Sequence, residues 1–162
     1  MATTNLSAYD KNQLPDAEVY RFGIVVSDWN SQVTHNMHKG AVDTLLDLGA
    51  KKSNIDSVFV PGSVELVYAA TRLCKKNNYD AVIVIGCVIR GETAHFDYVC
   101  KTVTDGVTYL NTQTDTPVVF CVLTDDNLQQ SLDRSGGKLG NKGIEAGVVA
   151  VRMAELKNKF RS

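Results

Sequence analysis

The chain of 162 residues has three prolines, a single tryptophan and four cysteines. Cys74, Cys87, Cys100 and Cys121 are widely spaced, make no Cys-x-x-Cys pair and sit in apolar periodic segments, so they read as small core hydrophobes. His35 and His38 are three apart on a helical stretch, but no carboxylate or cysteine completes a ligand pattern, so no metal is expected. No apolar run approaches the roughly 18 residues of a membrane span. The polar Met1–Leu14 segment has no apolar signal core, so a cytoplasmic location is expected. One-signed charge is also missing, with 17 basic against 18 acidic residues. That balance gives no field to draw nucleic acid or anionic lipid. No Gly-x-Gly-x-x-Gly and no Gly-x-x-x-x-Gly-Lys-[Ser/Thr] follows a strand, which removes the two common nucleotide-binding readings.

What is present is a chain with 44% hydrophobic and 22% charged residues, enough for one domain with a real core. Residues 1–18 carry Pro15 and many polar groups without a sustained period and read as an N-terminal arm, extended or disordered; residues 19–162 read as the domain. Tyr20–Ser27 reads as a strand. Val33, Met37, Ala41, Leu45 and Leu48 then recur at three or four residues, giving a core-facing helix that Gly49 stops. Ile55–Val60 is a second strand, closed by Pro61-Gly62, and Leu66, Ala69, Ala70 and Leu73 mark a second helix ending near Asn77-Asn78. Ala81–Ile89 is an apolar, β-branched run of the kind buried on both faces of a parallel sheet. Val99, Val103, Val107 and Leu110 trace a third helix, and Pro117–Leu123 a fourth strand. Leu128 and Leu132 mark a short helix, Ser135–Gly143 a flexible glycine-rich loop, and Ile144, Val148, Val151 and Leu156 a last helix. This alternation predicts a three-layer αβα sandwich around a four-stranded, mainly parallel sheet, a flavodoxin-like α/β arrangement.

In such sheets ligands bind beyond the carboxyl ends of the strands. Those ends carry Asp28-Trp29-Asn30, Gly62-Ser63-Val64-Glu65, Arg90 to His95, and Thr124-Asp125. Ser63 and Thr93 to His95 open helices, whose unpaired N–H groups suit a phosphate or another oxyanion. Arg134 and Lys142 flank the glycine-rich loop and read either as the cations of such an anion pocket or as solvated surface charges. Trp29 reads either as a stacking platform for a heteroaromatic ring or as a cap on the core. His95 reads either as a proton-transfer group or as a helix-start residue satisfied by the backbone.

Pro61-Gly-Ser-Val-Glu65, Gly86-Cys-Val-Ile-Arg-Gly-Glu-Thr-Ala-His-Phe-Asp-Tyr98 and Arg134-Ser-Gly-Gly-Lys-Leu-Gly-Asn-Lys-Gly143, in that order and at those strand ends, resemble the 6,7-dimethyl-8-ribityllumazine synthase family. The likeness runs from about Phe22 to Leu156. It implies a transferase of riboflavin biosynthesis that condenses 5-amino-6-(D-ribitylamino)uracil with 3,4-dihydroxy-2-butanone 4-phosphate, its small-molecule substrates, releasing phosphate and water without metal or organic cofactor.

Carried over by position, the resemblance makes Trp29 the aromatic stacked on the pyrimidine and Asn30 a contact to the ribityl chain or ring. Ser63, Val64 and Glu65 hold the uracil edge and ribityl hydroxyls, and Val88 and Ile89 join the substrate-binding residues. Gly91, Glu92 and Thr93 form the phosphate-binding turn, with Arg134 as its ion-pair partner and Lys142 near the phosphate end. Phe120 enters the ring pocket across a subunit boundary, and His95 transfers protons. Val64 stands where relatives commonly have an aromatic, thinning ring contact on that side. Glu92 must keep its carboxylate toward water to leave the phosphate unrepelled.

The resemblance further implies a homopentamer with sites between neighbours, and an arm that pairs with a neighbouring sheet. In some members twelve pentamers close into a 60-subunit shell. The loop 135–143 lacks the insertion of pentamer-only relatives, which favours the shell. Two other classes compete: a flavin- or lumazine-binding storage module without turnover, and a phosphoacceptor receiver domain. The latter requires an acidic cluster and magnesium at the first strand's end, where Asp28 stands alone.

Overall fold

Strand β1 (Phe22–Ser27) lies between β2 (Ile55–Val60) and β3 (Ala81–Ile89), and β3 pairs with β4 (Val118–Asp125); all three pairings are parallel. The computed structural model describes residues 7–76 and 78–161. The connections are α1 (Ser31–Asp47), α2 (Glu65–Lys76) and α3 (His95–Gln113), and the chain ends with α4 (Leu128–Arg134) and α5 (Lys142–Arg161). The order β2-β1-β3-β4 reverses between β1 and β3, giving the flavodoxin-like arrangement expected, with the main sheet wholly rather than mainly parallel.

Period-two alternation divides β3 between two cores. Ala81, Ile83, Ile85 and Cys87 join a cluster with Met37, Ala41 and Leu45 of α1 and Ala150, Val151 and Ala154 of α5. Val82 and Val84 join Leu66, Ala70 and Leu73 of α2 and Val103, Val107 and Leu110 of α3 on the other face. Burial on both faces is the reason the run from Ala81 onward is continuously apolar. β2, an edge strand, leaves Val58 and Phe59 exposed. Helices α1 and α5 approach so closely that a Cβ on Gly143 would run into the Met37 carbonyl oxygen.

Three expectations need correction or limits. Ser135–Gly143 is not a featureless loop: β5 (Ser135–Gly137) and β6 (Gly140–Asn141) pair antiparallel, and α5 already begins at Lys142. Glycine-rich strands this short carry no apolar period for a sequence reading to detect. The arm is tied down from Ser7 onward. Ser7 Oγ donates to the Asn141 carbonyl (3.1 Å), Tyr9 Oη to Asp47 Oδ2 (2.8 Å), and Ala17 N–H to the Leu48 carbonyl (2.9 Å). Ala17 is fully buried in the α1/α5 core. The expectations for residues 1–6, for Asn77 at the proposed Asn77-Asn78 turn, and for residue 162 at the domain's end lie outside the described residues.

Candidate active site

β1, β2 and β3 end together at the point where strand order reverses, and a cavity of about 410 Å³ opens there. A crevice outside the carboxyl ends of parallel strands, at the reversal, is where this class of sheet binds ligands. From β1 come Trp29 and Asn30; from the β2–α2 turn Gly62, Ser63, Val64 and Glu65; from β3 and its turn Cys87, Val88, Ile89, Gly91 and Thr93; from α3 His95, Phe96 and Val99. Trp29 is 72% exposed, so its ring offers a face to a ligand and does not cap the core.

The β2–α2 turn lies tightly on β3. A Cβ on Gly86 would stand 2.8 Å from Ser63 Oγ and 2.9 Å from Leu66 Cδ1, so the glycine permits the close approach that sets Ser63 at the cavity floor. The loop after β1 is held across the sheet: Asp28 N–H donates to the Val60 carbonyl (2.8 Å) and Trp29 N–H to the Pro61 carbonyl (3.0 Å).

Arg90 secures the turn from β3 into α3. Its Nε donates to Asp126 Oδ1 (2.9 Å) and its Nη1 to Asp97 Oδ1 (3.3 Å), while the guanidinium stands 4.1 Å over the Phe96 ring. With Arg90 so occupied, Gly91 and Thr93 border the cavity, and Thr93 Oγ1 accepts from the His95 N–H (3.3 Å) at the start of α3. Glu92 is exposed and does not line the cavity.

Cys87 is the one thiol at the cavity. Burial pushes its pKa up, and Sγ donates to Ser131 Oγ (3.4 Å), which in turn donates to Asp125 Oδ2 (2.6 Å). A protonated, buried thiol is a poor nucleophile. The chemistry available at this cavity is therefore binding, orientation and proton transfer.

Phe120, Arg134 and Lys142 do not line this cavity. Phe120 and Lys142 border a separate groove of about 360 Å³ between β4 and α5, together with Glu145, Val149 and Met153. Arg134, with only 15% of its side chain exposed, donates from Nη1 to the Leu139 carbonyl (3.0 Å) and from Nη2 to Glu145 Oε1 (2.8 Å). Lys142 Nζ lies 3.5 Å from Glu145 Oε2. One chain thus carries Trp29, Ser63 to Glu65, Gly91, Thr93 and His95 in one place and Phe120, Arg134 and Lys142 in another.

Cys87, Phe96 and Val99 also line the cavity, although the sequence marks Cys87 only as a core thiol and Val99 only as part of the apolar face of α3. The apolar period that holds Val99 leads one turn further back to Phe96, at the end of the helix that meets the cavity.

Comparison with known proteins bears on the chain as a whole. The family model for 6,7-dimethyl-8-ribityllumazine synthase matches residues 19–158. A 6,7-dimethyl-8-ribityllumazine synthase of Flavobacterium johnsoniae is 55% identical over 161 residues, covering 98% of this chain and 85% of the relative. That of Christiangramia forsetii is 52% identical, covering 97% of this chain and 95% of the relative. That of Parabacteroides distasonis is 52% identical, covering 96% and 99%. With a cavity built from the three strand ends that carry the motifs, and with relatives of this similarity along nearly the whole chain, the protein belongs to the 6,7-dimethyl-8-ribityllumazine synthase family.

Proposed function

We propose that this chain condenses 5-amino-6-(D-ribitylamino)uracil with 3,4-dihydroxy-2-butanone 4-phosphate, the penultimate step of riboflavin synthesis, in a site that two neighbouring copies build together. Family membership carries the reaction. The convergence of Trp29, Ser63 to Glu65, Gly91, Thr93 and His95 on one cavity supports the assignment of their roles.

In this reading the pyrimidine stacks on Trp29, while Ser63, Val64 and Glu65 take its edge and the ribityl hydroxyls, beside Val88 and Ile89. The backbone of Gly91 to Thr93, at the start of α3, receives the phosphate, as helix N-termini do. An aromatic amine and a ketone condense slowly unaided, so holding them in contact supplies much of the rate. The 5-amino group forms an imine with the ketone and releases water; phosphate then leaves by elimination, and the ribitylamino nitrogen closes the second ring on the carbonyl that results, with loss of a second water. Protons move at nearly every step, and His95 at the cavity edge is the group to carry them.

The phosphate also needs cations, and the cavity of one chain has none on its lining. The basic pair sits instead by the β4/α5 groove with Phe120. We assign Phe120, Arg134 and Lys142 to the half that a neighbouring copy presents to the cavity. Tyr68, Tyr98 and Tyr109, each 65% exposed or more on α2 and α3, are the kind of apolar surface that another copy covers. A homopentamer follows from this reading. The compact 135–141 hairpin, without insertion, supports the 60-subunit shell over the free pentamer, and light scattering decides between them.

Mixing the assembled protein with both substrates, without added metal, tests the reading: lumazine fluorescence is expected to rise with turnover. Tight binding of a ribitylated pyrimidine without turnover would instead support the storage module.

A further inference from the structure

Asn30 is the one non-glycine residue with positive φ among the described residues, at φ 59° and ψ 44°. That left-handed conformation disfavours side chains with a Cβ, and asparagine is among the few that adopt it readily. The residue directly follows Trp29 and directly precedes α1. An asparagine in that place ordinarily turns its side chain onto the first N–H groups of the helix. This one makes no such cap. Its Nδ2 crosses instead to the Cys87 carbonyl on β3 (3.0 Å), while its own carbonyl accepts from the N–H groups of Val33 (2.8 Å) and Thr34 (3.1 Å).

Trp29 is therefore fixed from both sides through its backbone. Its N–H is held by the Pro61 carbonyl (3.0 Å), its carbonyl accepts from Ser27 Oγ (3.2 Å), and the next residue reverses the chain direction while bonded to the neighbouring strand. The indole is largely exposed, so packing alone does not fix it.

We infer that Asn30 is a positioning residue: its left-handed backbone and its amide link to β3 set the angle at which Trp29 presents its ring to the pyrimidine. The resemblance makes Asn30 a contact to the ribityl chain or ring; here one N–H of its amide is spent on the Cys87 carbonyl. The inference rests on the proposed seating of the pyrimidine on Trp29 and names what holds that seat.

Asn30→Gly and Asn30→Ala, in the full assembled protein, separate the two roles. Glycine keeps the left-handed turn and loses the amide; alanine loses both. A contact role predicts equal damage. A positioning role predicts that kcat/KM of Asn30→Gly exceeds that of Asn30→Ala by about tenfold, from the conformational cost of alanine alone. The Asn30→Ala loss is expected in KM for the pyrimidine, with KM for the butanone phosphate unmoved. Trp29 is the only tryptophan, so its emission in the ligand-free protein should shift in Asn30→Ala and less in Asn30→Gly. Equal loss in both variants, or none in either, overturns the inference. If Asn30→Ala does not assemble, turnover by an assembled Asn30→Gly upholds it, and failure of both to assemble overturns it by making the residue a folding requirement. If a ribitylaminopyrimidine leaves wild-type Trp29 emission unquenched, the seat on Trp29 fails, while the ligand-free emission of the two variants still decides the part played by Asn30.

Discussion

Glu145 accepts Arg134 Nη2 on one carboxylate oxygen at 2.8 Å and holds Lys142 Nζ 3.5 Å from the other. One acid thus spaces two cations, and the cluster keeps an excess of positive charge, which in the proposed reading meets the phosphate. Arg134 is the fork-shaped member, suited to bidentate recognition. We predict that Arg134→Ala raises KM for the butanone phosphate by about tenfold to a hundredfold, the worth of a charge-assisted hydrogen bond, and raises KM for the pyrimidine far less. Steady-state kinetics with each substrate varied in turn checks this. Equal effects on both would remove Arg134 from the phosphate end.

His95 stands at the cavity edge, where α3 begins, with its backbone N–H taken by Thr93 Oγ1. A proton shuttle contributes about a hundredfold to ten-thousandfold. His95→Ala is predicted to lower kcat by an amount in that range while a ribityl-pyrimidine analogue binds nearly as before. Calorimetry with the analogue, beside turnover, reads both. Unchanged turnover would exclude the histidine from the mechanism.

The alternation of strands and helices was legible because each element repeats its apolar residues at its own period, and β3 shows both core faces in one run. The motif residues around the first cavity were legible for a related reason, since strand ends in a parallel sheet share one edge. Other features carried no such signal. Ala17 is a small residue in a polar stretch, and nothing near it announces that it anchors the arm in the core. The 135–141 hairpin is too short and too rich in glycine to show a period. The left-handed turn at Asn30 is a dihedral angle, which residue type permits without specifying. Arg134 and Lys142 stand away from the cavity of their own chain, and that separation depends on the three-dimensional course of α4 and α5.

Stability should respond to pH through His38. Its Nε2 is 2.8 Å from Ser57 Oγ and its ring meets Phe59 edge-on at 5.4 Å. On the same side, His35 of α1 also contacts Phe59 and pairs with Asp28 at 3.2 Å. Burial, and then the nearby His35, push the His38 pKa below the ordinary 6.5. The unfolded chain therefore takes up this proton more readily than the native one, so the stability is complete above the unfolded pKa and falls as pH drops through the folded value. Urea midpoints of the wild type and His38→Gln are predicted to run parallel above about pH 7 and to separate below about pH 6, the wild type falling faster. Parallel curves throughout would contradict the assignment.

Gly143 and Gly91 offer a stability contrast. A Cβ at Gly143 collides with the Met37 carbonyl oxygen, whereas one at Gly91 meets nothing within 4 Å. Gly143→Ala should cost about 1–3 kcal/mol, as overpacking does, because α1 and α5 must separate. Gly91→Ala should leave the melting temperature nearly unchanged. Thermal unfolding of both variants tests the close approach of the two helices.

The division of the site between copies is tested most directly by mixing two impaired variants, with the butanone phosphate held well below the KM of Arg134→Ala. His95→Ala retains the basic half and Arg134→Ala retains the ring-side half. Unfolded together in equal amounts and reassembled, they are predicted to recover about a quarter of wild-type lumazine formation, since random neighbours in a ring place two intact halves together at one boundary in four. Recovery no greater than the sum of the separate variants would mean that both halves belong to one chain, and would contradict the shared site.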